Sequence, residues 1–271
     1  MSKIYGILNF KFNYIHIVET SIYNKKSHYY DFIYSWKDYK TESSILKQLI
    51  KKYKRSSGSE LLDAGCGTGS HLEHLQDEFS VMGIDISDCL LKEAKIKNPN
   101  IQFRQCDFIQ VNFAKKYDVI LCLGNAIGYT KNYHNLQRTI KSFSKLLNPG
   151  GMLIIEPWFQ EQYYHDNSSL IKTYHDDDIK IARLTEFRKK GIVSLVNMHF
   201  LLSEAGKTVQ HWDELHEIAM FEKGDYLQLM TENGLESTYI ENGLISSDAH
   251  KKKPTSWYES DKGLYIGIKS I

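Results

Sequence analysis

From Ser59 to Gly151 the chain repeats one rhythm: a short apolar run, a turn, then a stretch with helical spacing. "SELLDAG" predicts a first strand and "SHLEHLQDEF" the helix behind it. "SVMGIDI" predicts a second strand, and "SDCLLKEAKIK" a helix with Ser87 as its N-cap. "IQFRQCD" reads as a third strand, and "YDVILCLG" as a fourth, an apolar run of the kind covered on both faces. "NLQRTIKSFSKLL" predicts a helix stopped by Asn148-Pro149-Gly150, before a fifth strand in "GMLIIEPW". Strands alternating with helices predict parallel βαβ units, and so a doubly wound, mostly parallel α/β sheet.

After Trp158 the rhythm changes. Turn signals at "DDD", "KKG" and "EAGK" break the next sixty or so residues into strands of period two. Ile192, Val196, Met198, Phe200 and Leu202 share one face of such a strand, while Leu195, Asn197 and His199 share the other. This predicts an antiparallel meander inserted into the α/β unit. "GDYLQLMTENGL" returns as a helix ending at Gly234, and "ESTYIENG" and "GLYIGIKS" are the last strands. The polar segment "HKKKPTSWYES" between those two strands reads as a loop.

The 271 residues carry 34 Lys plus Arg against 33 Asp plus Glu, a formal charge of +1. That balance gives no electrostatic reason to expect nucleic acid. Cys66, Cys89, Cys106 and Cys122 form no CxxC pair and read as small buried hydrophobes of a reducing compartment. The first residues, "MSKIYGILNFKFNYIHIVET", are broken by Lys3, Asn9, Lys11, Asn13 and His16, so no signal peptide is expected. No apolar run approaches a membrane span. A cytoplasmic chain without nucleic-acid or membrane partners is the expectation.

Candidate chemistry concentrates in "LLDAGCGTGSHLEHL". Gly65, Gly67 and Gly69 follow a strand end, where a doubly wound sheet binds ligands and where glycines bring backbone N–H groups close. The dinucleotide fingerprint would need a glycine at position 70, which is Ser70, and no Walker GK[ST] follows. Asp85 ends the second strand, where a carboxylate can accept both hydroxyls of a ribose. Asp107 ends the third, placed to accept from an exocyclic amine, with Phe108 beside it to cover an adenine face. A module for another nucleotide stays open at this level.

With "GIDIS", "CDF" and "LLNPGGMLIIE" following in order, the stretch from about Leu61 to Pro157 resembles the class I S-adenosylmethionine-dependent methyltransferases. The resemblance implies a seven-stranded Rossmann-like sheet with S-adenosyl-L-methionine as cofactor. It places Ala64, Gly65, Gly67 and Gly69 around the methionyl and ribose groups, Asp85 with Ile86 at the ribose, and Asp107 with Phe108 at the adenine. Leu123 would line the other side. Further segments, among them "HYYDFIYSWKDYKTES", "LGNAIGYT", "IIEPWF" and "DKGLYIG", are similar to the sugar-nucleotide N,N-dimethyltransferases. In that subfamily the inserted meander covers the active site. The implied domains are an N-terminal extension and helical lid (1–58), a cofactor-binding domain (59–160 and 222–271) and an inserted substrate-covering subdomain (161–221).

Tyr30 and Tyr39 fall in the lid that closes over the cofactor in relatives. Tyr129, after the fourth strand, stands where relatives carry His or Tyr, and is the candidate to touch an acceptor amine. His216 shares a strand face with Gln210, Trp212 and Glu214, a polar and aromatic row suited to a covered site or to a solvated edge. Glu156, Trp158 and His199 are candidates to contact substrate. Phe159 replaces a second tryptophan, and Lys262 stands in "YESDKG" where the subfamily has an arginine in a glycine-rich segment. Lys262, the remaining substrate candidate, keeps the charge without the bidentate fork. His71 and His74 have i, i+3 spacing, but methyl transfer needs no metal and none is expected. The expected reaction is methyl transfer to an amine of a small molecule, such as a nucleoside-diphosphate amino sugar. An amino acid or hydroxyl acceptor, or cofactor binding without turnover, are the alternatives, and a homodimer is a candidate assembly.

Overall fold

The computed structural model describes residues 21–241, 243–244 and 263–271. Lys262 and most of the polar loop before it lie outside these residues, as does the start of the N-terminal extension. The strands in chain order are β1 (Glu60–Ala64), β2 (Ser80–Asp85), β3 (Gln102–Gln105), β4 (Tyr117–Cys122) and β5 (Leu147–Ile155). They continue with β6 (Ser168–His175), β7 (Ile179–Lys190), β8 (Val193–Glu204), β9 (Gln210–Ala219), β10 (Leu235–Ile240) and β11 (Leu264–Lys269). The helices are α1 (Tyr30–Ile33), α2 (Tyr39–Tyr53), α3 (Ser70–Leu75), α4 (Asp88–Lys97), α5 (Tyr133–Leu146) and α6 (Lys223–Glu232).

One sheet has seven strands in the order β10-β11-β5-β4-β1-β2-β3. Neighbours among β1 to β5 are parallel, and β11 is antiparallel to both β5 and β10. The chain reverses direction across the sheet between β1 and β4, so the crevice outside their carboxyl ends is the ligand position that this topology creates. Alternation sorts the central strands onto two cores. Leu62, Ile120, Cys122, Leu153 and Ile155 pack against α5 and α6. Leu61, Val119, Leu121, Met152 and Ile154 pack against α2, α3 and α4.

The meander forms a second sheet, β6-β7-β8-β9, antiparallel throughout. Its inner face joins a third core with Ile22, Tyr29 and Ile33 of the N-terminal segment and with Trp158 and Phe159. Val196, Met198, Phe200 and Leu202 share that face as expected, but Ile192 sits in the turn before β8 and is exposed. Two boundaries also differ from the sequence pattern. Helix α3 ends at Leu75, because the next turn is polar and Lys47 of α2 pairs with Asp77 and Glu78 there. Strand β5 begins at Leu147, before the turn residues, because Leu147 already pairs with Tyr117 of β4 ahead of an irregularity in the register.

Candidate active site

At the end of β1 the chain must turn sharply toward α3, and left-handed glycines make this possible. Gly65 has φ +85°, and a Cβ there would lie 2.7 Å from the Ala126 methyl. The Gly65 and Cys66 N–H groups donate to the Ile84 carbonyl, tying the loop to β2. Gly67, at φ +54°, meets nothing nearer than the Tyr30 hydroxyl, 3.8 Å from where its Cβ would be. Tyr30 of α1 thus roofs a cradle floored by backbone. Asp31 fastens that roof: it accepts from Thr68 Oγ1 at 2.5 Å and from Lys97 Nζ at 2.7 Å. The Ser87 hydroxyl also donates to the Tyr23 carbonyl.

Asp85 stands at the rim. Its Oδ2 accepts from the Gly67 N–H and its Oδ1 from the Ser87 N–H, each at 2.9 Å. Every oxygen keeps a second acceptor site, so a vicinal diol can bind without breaking either bond. Burial pushes its carboxyl above the usual range, against the lowering by backbone N–H groups. Asp107 Oδ1 accepts from the Ile109 N–H at 2.9 Å, and the Phe108 ring lies beside Gly65. Ile86 is 70% exposed next to Asp85, an apolar side chain left on the rim. This cradle, with two carboxylates on adjacent strand ends and a ring between them and the glycines, fits an adenosyl group. Ala64, at the end of β1, and Leu123, just after β4, are both buried. Ala126, which closes on Gly65, has no sequence signal.

Asp63, on β1 beneath the loop, is 2% exposed, and its Oδ1 has no hydrogen-bond partner among the described residues. Burial pushes its carboxyl up to about 6, opposed by His71 and assisted by Asp85. The unfolded chain releases this proton near pH 4, so the fold holds more protons in between. Stability from the neutral acid is full below that range and is lost as pH rises through about 6. Asp63→Asn is therefore expected to raise the melting temperature by several degrees near pH 8, with no gain near pH 4. Scanning calorimetry at the two pH values checks this.

The second constellation links the two sheets. On β9, Trp212, Glu214 and His216 all point inward and are buried, so these three do not form a solvated edge. Glu214 Oε1 accepts from Trp212 Nε1 at 2.8 Å and from the Ile22 N–H at 2.7 Å. Its Oε2 lies 3.2 Å from His216 Nε2, and His216 Nδ1 lies 3.1 Å from the Tyr129 hydroxyl. Tyr23 Oη is 3.3 Å from Tyr129 Oη. Burial, then neighbouring phenols, push the Tyr23 hydroxyl well above its ordinary value, so it stays a donor. Taken together, the carboxylate fixes the N–H on His216 Nε2, leaving Nδ1 to accept from Tyr129. Tyr129 Oη then accepts from Tyr23. Tyr23 lies in a tyrosine-rich segment whose sequence gives no signal for it.

The other candidates are dispersed. Glu156 Oε2 accepts from the Gly124 N–H at 2.6 Å and so holds the loop after β4. Its charge, with that of Glu42, raises the Lys37 ammonium against the lowering by burial. Tyr39 opens α2 with its ring edge-on to His71, 5.0 Å between centres, and burial pushes its hydroxyl up. His71 in turn meets Glu42 at 2.7 Å, joining α3 to α2. Trp158 is 3% exposed and packs edge-on against Phe159 in the third core. His199 is not brought to the site: it pairs with Asp213, so the pleat turns it to the outer face. There it stacks on His211 and bonds Asn197 at 2.9 Å. No helix among the described residues is long and apolar enough to cross a membrane.

Comparison with known proteins gives a family model described as "Methyltransferase domain", matching residues 61–151. The chain is 28% identical over 242 residues to the dTDP-3-amino-3,4,6-trideoxy-alpha-D-glucopyranose N,N-dimethyltransferase of Streptomyces venezuelae, covering 88% of this chain and 95% of that protein. It is 25% identical over 217 residues to the dTDP-3-amino-3,6-dideoxy-alpha-D-glucopyranose N,N-dimethyltransferase of Streptomyces fradiae, covering 79% and 85%. Among solved structures it is similar to Streptomyces venezuelae DesVI, with TM-score 0.80 and 28% identity over 90% of this chain and 98% of that one. The sugar N-methyltransferase KedS8 from Streptoalloteichus sp ATCC 53650 follows at TM-score 0.75 and 25% identity, over 89% and 93%.

Proposed function

Since the chain is a class I S-adenosylmethionine-dependent methyltransferase closely resembling the sugar-nucleotide N,N-dimethyltransferases, we propose that it methylates the amine of a dTDP-linked amino deoxysugar. The observation that carries this reading is the row Glu214–His216–Tyr129, which ends in a hydroxyl suited to an amine N–H. The likeness to the two dTDP-amino-sugar dimethyltransferases supplies the substrate class, and it spans the second sheet as well as the cofactor core.

Asp85, Asp107 and the backbone of Gly65 to Gly69 would hold the adenosyl and methionyl groups. Bound S-adenosylmethionine supplies a methyl group on a sulfonium, whose positive charge disappears as the methyl leaves. No new anion needs stabilising, so the residues of the site mainly position the amine, which can lower a barrier by roughly 7–11 kcal/mol at the upper end. An attacking amine must be neutral. Tyr129 Oη takes a proton from the ammonium as its own proton passes to His216 Nδ1, leaving an imidazolium held against Glu214. The neutral amine then stays hydrogen-bonded to Tyr129. A second methylation needs the same proton removal from the monomethyl product.

The test incubates the full chain with S-adenosylmethionine and dTDP-3-amino deoxysugars, amino acids and phenols, followed by mass spectrometry. The expected result is one, then two, added methyl groups on the sugar nucleotide alone. Methylation confined to an amino acid or a phenol sinks the proposal.

A further inference from the structure

The outer face of the second sheet, turned away from His216 and the third core, is apolar where it meets water. Ile171 of β6, Leu184 of β7 and Leu201 of β8 are 71%, 38% and 51% exposed. Register puts them side by side: Ile171 pairs with Leu184, and Leu201 pairs with Ala182, two residues from Leu184 on the same face. An antiparallel sheet with one face on a core ordinarily shows polar residues on the other. A contiguous apolar patch in their place marks a surface that binds something.

The pattern of this face identifies the partner. Its residues fall into rows that cross the strands, about 7 Å apart. One row holds Ala182, Leu201 and His211, and the next holds Leu184, His199 and Asp213. Lys180 lies one row beyond the first, and Glu186 one row beyond the second. A two-fold axis midway between the two middle rows, running across the strands, sets each strand against the same strand of a second copy. Leu184 then faces the partner's Ala182, and Leu201 faces the partner's His199. The same rotation sets Lys180 against the partner's Glu186 and His211 against the partner's Asp213, and each pair occurs twice. Within one chain, Lys180, Glu186 and Asp213 have no ion-pair partner among the described residues. The face is therefore complementary to itself in its apolar groups and in its charges, and aligned sheets are a common way for two such faces to pack. Four rows across these strands cover roughly 500 Å² per copy. Two copies bury roughly 1,000 Å², the area from which a specific interface starts.

We propose that the chain forms a two-fold homodimer through the outer face of its second sheet, with Leu184 and Leu201 at the centre and Lys180–Glu186 pairs at the ends. This goes beyond the sugar-nucleotide reading and does not depend on it. Strand β9 serves both faces: His211 and Asp213 enter the interface, while Trp212, Glu214 and His216 point the other way. The dimer thus backs the strand that carries His216, and the two His216 rows lie on opposite sides of it.

The test is sedimentation velocity on the full chain. The wild type is expected to sediment as a dimer, at twice the mass of one chain. The double variant Leu184→Asp with Leu201→Asp is expected to weaken association at least about a hundredfold and to sediment as a monomer, because it presses unpaired charges against apolar side chains. Its circular dichroism and its affinity for S-adenosylmethionine are expected to match the wild type. Lys180→Glu is expected to weaken the dimer about tenfold or more, since two like-charge contacts replace two ion pairs. Adding Glu186→Lys exchanges the charges and is expected to restore wild-type association. A dimer that survives both aspartates overturns the proposal, as does a wild type that stays monomeric, which leaves another protein as the occupant of the face. Should the aspartate variant not fold, the charge exchange decides. Wild-type association in both Lys180→Glu and its combination with Glu186→Lys overturns the proposal.

Discussion

Asp85→Ala lowers the affinity for S-adenosylmethionine at least about a hundredfold in isothermal titration calorimetry. Each oxygen of this carboxylate keeps one acceptor site after bonding the Gly67 or Ser87 N–H. Two ribose hydroxyls donating to a charged acceptor contribute roughly 1.5–3 kcal/mol each, so losing both costs about 3 kcal/mol or more. The same substitution frees the Gly67 N–H, and the loop loses an anchor at a residue with φ +54°. Without ligand the melting temperature is expected to change little, because the two backbone bonds are offset by the burial that raises this carboxyl. Asp85→Asn keeps acceptor capacity without the charge and should fall between. Unchanged affinity in Asp85→Ala would remove the residue from the ribose.

Much of this arrangement is legible before folding, and the reasons differ by element. The short apolar runs between helical segments locate β1, β2, β4 and β5, because those strands are mostly buried on both faces and nothing competes with the pattern, whereas edge strand β3 keeps only Phe103 buried. Gly65, Gly67 and Asp85 are readable because a left-handed turn tolerates little else and the acid follows at the next strand end. His199 and His216 are harder. Both sit on strands of alternating residues, and only the pairing of Val196 with His216 and of His199 with Asp213 decides which face each takes. The bond from His216 to Tyr129 joins residues 87 apart in sequence, so no local pattern contains it. Tyr23 is silent for another reason. It is one of 18 tyrosines, and its place depends on an N-terminal segment held by Asp31 and Ser87 rather than on its own periodicity.

His216→Ala is expected to lower kcat by roughly 10²–10³, within the range for a positioned proton acceptor, with S-adenosylmethionine affinity unchanged. Tyr129→Phe should lose about as much, since the two residues pass one proton. For that reason the double variant should be little worse than the more damaged single one, whereas independent contributions would multiply. Glu214→Gln tests the same row through the tautomer. An amide can donate to His216 Nε2, which moves the ring proton to Nδ1 and stops it accepting from Tyr129. A loss of about tenfold or more in kcat, with a fold indistinguishable by circular dichroism, is expected for it. The pH profile separates proton transfer from packing. The row is needed only while the acceptor is an ammonium ion, so the deficit of each variant should shrink as pH rises and the amine deprotonates unaided. A deficit that stays constant across the range, or single losses that multiply in the double variant, means that these side chains only shape the cavity.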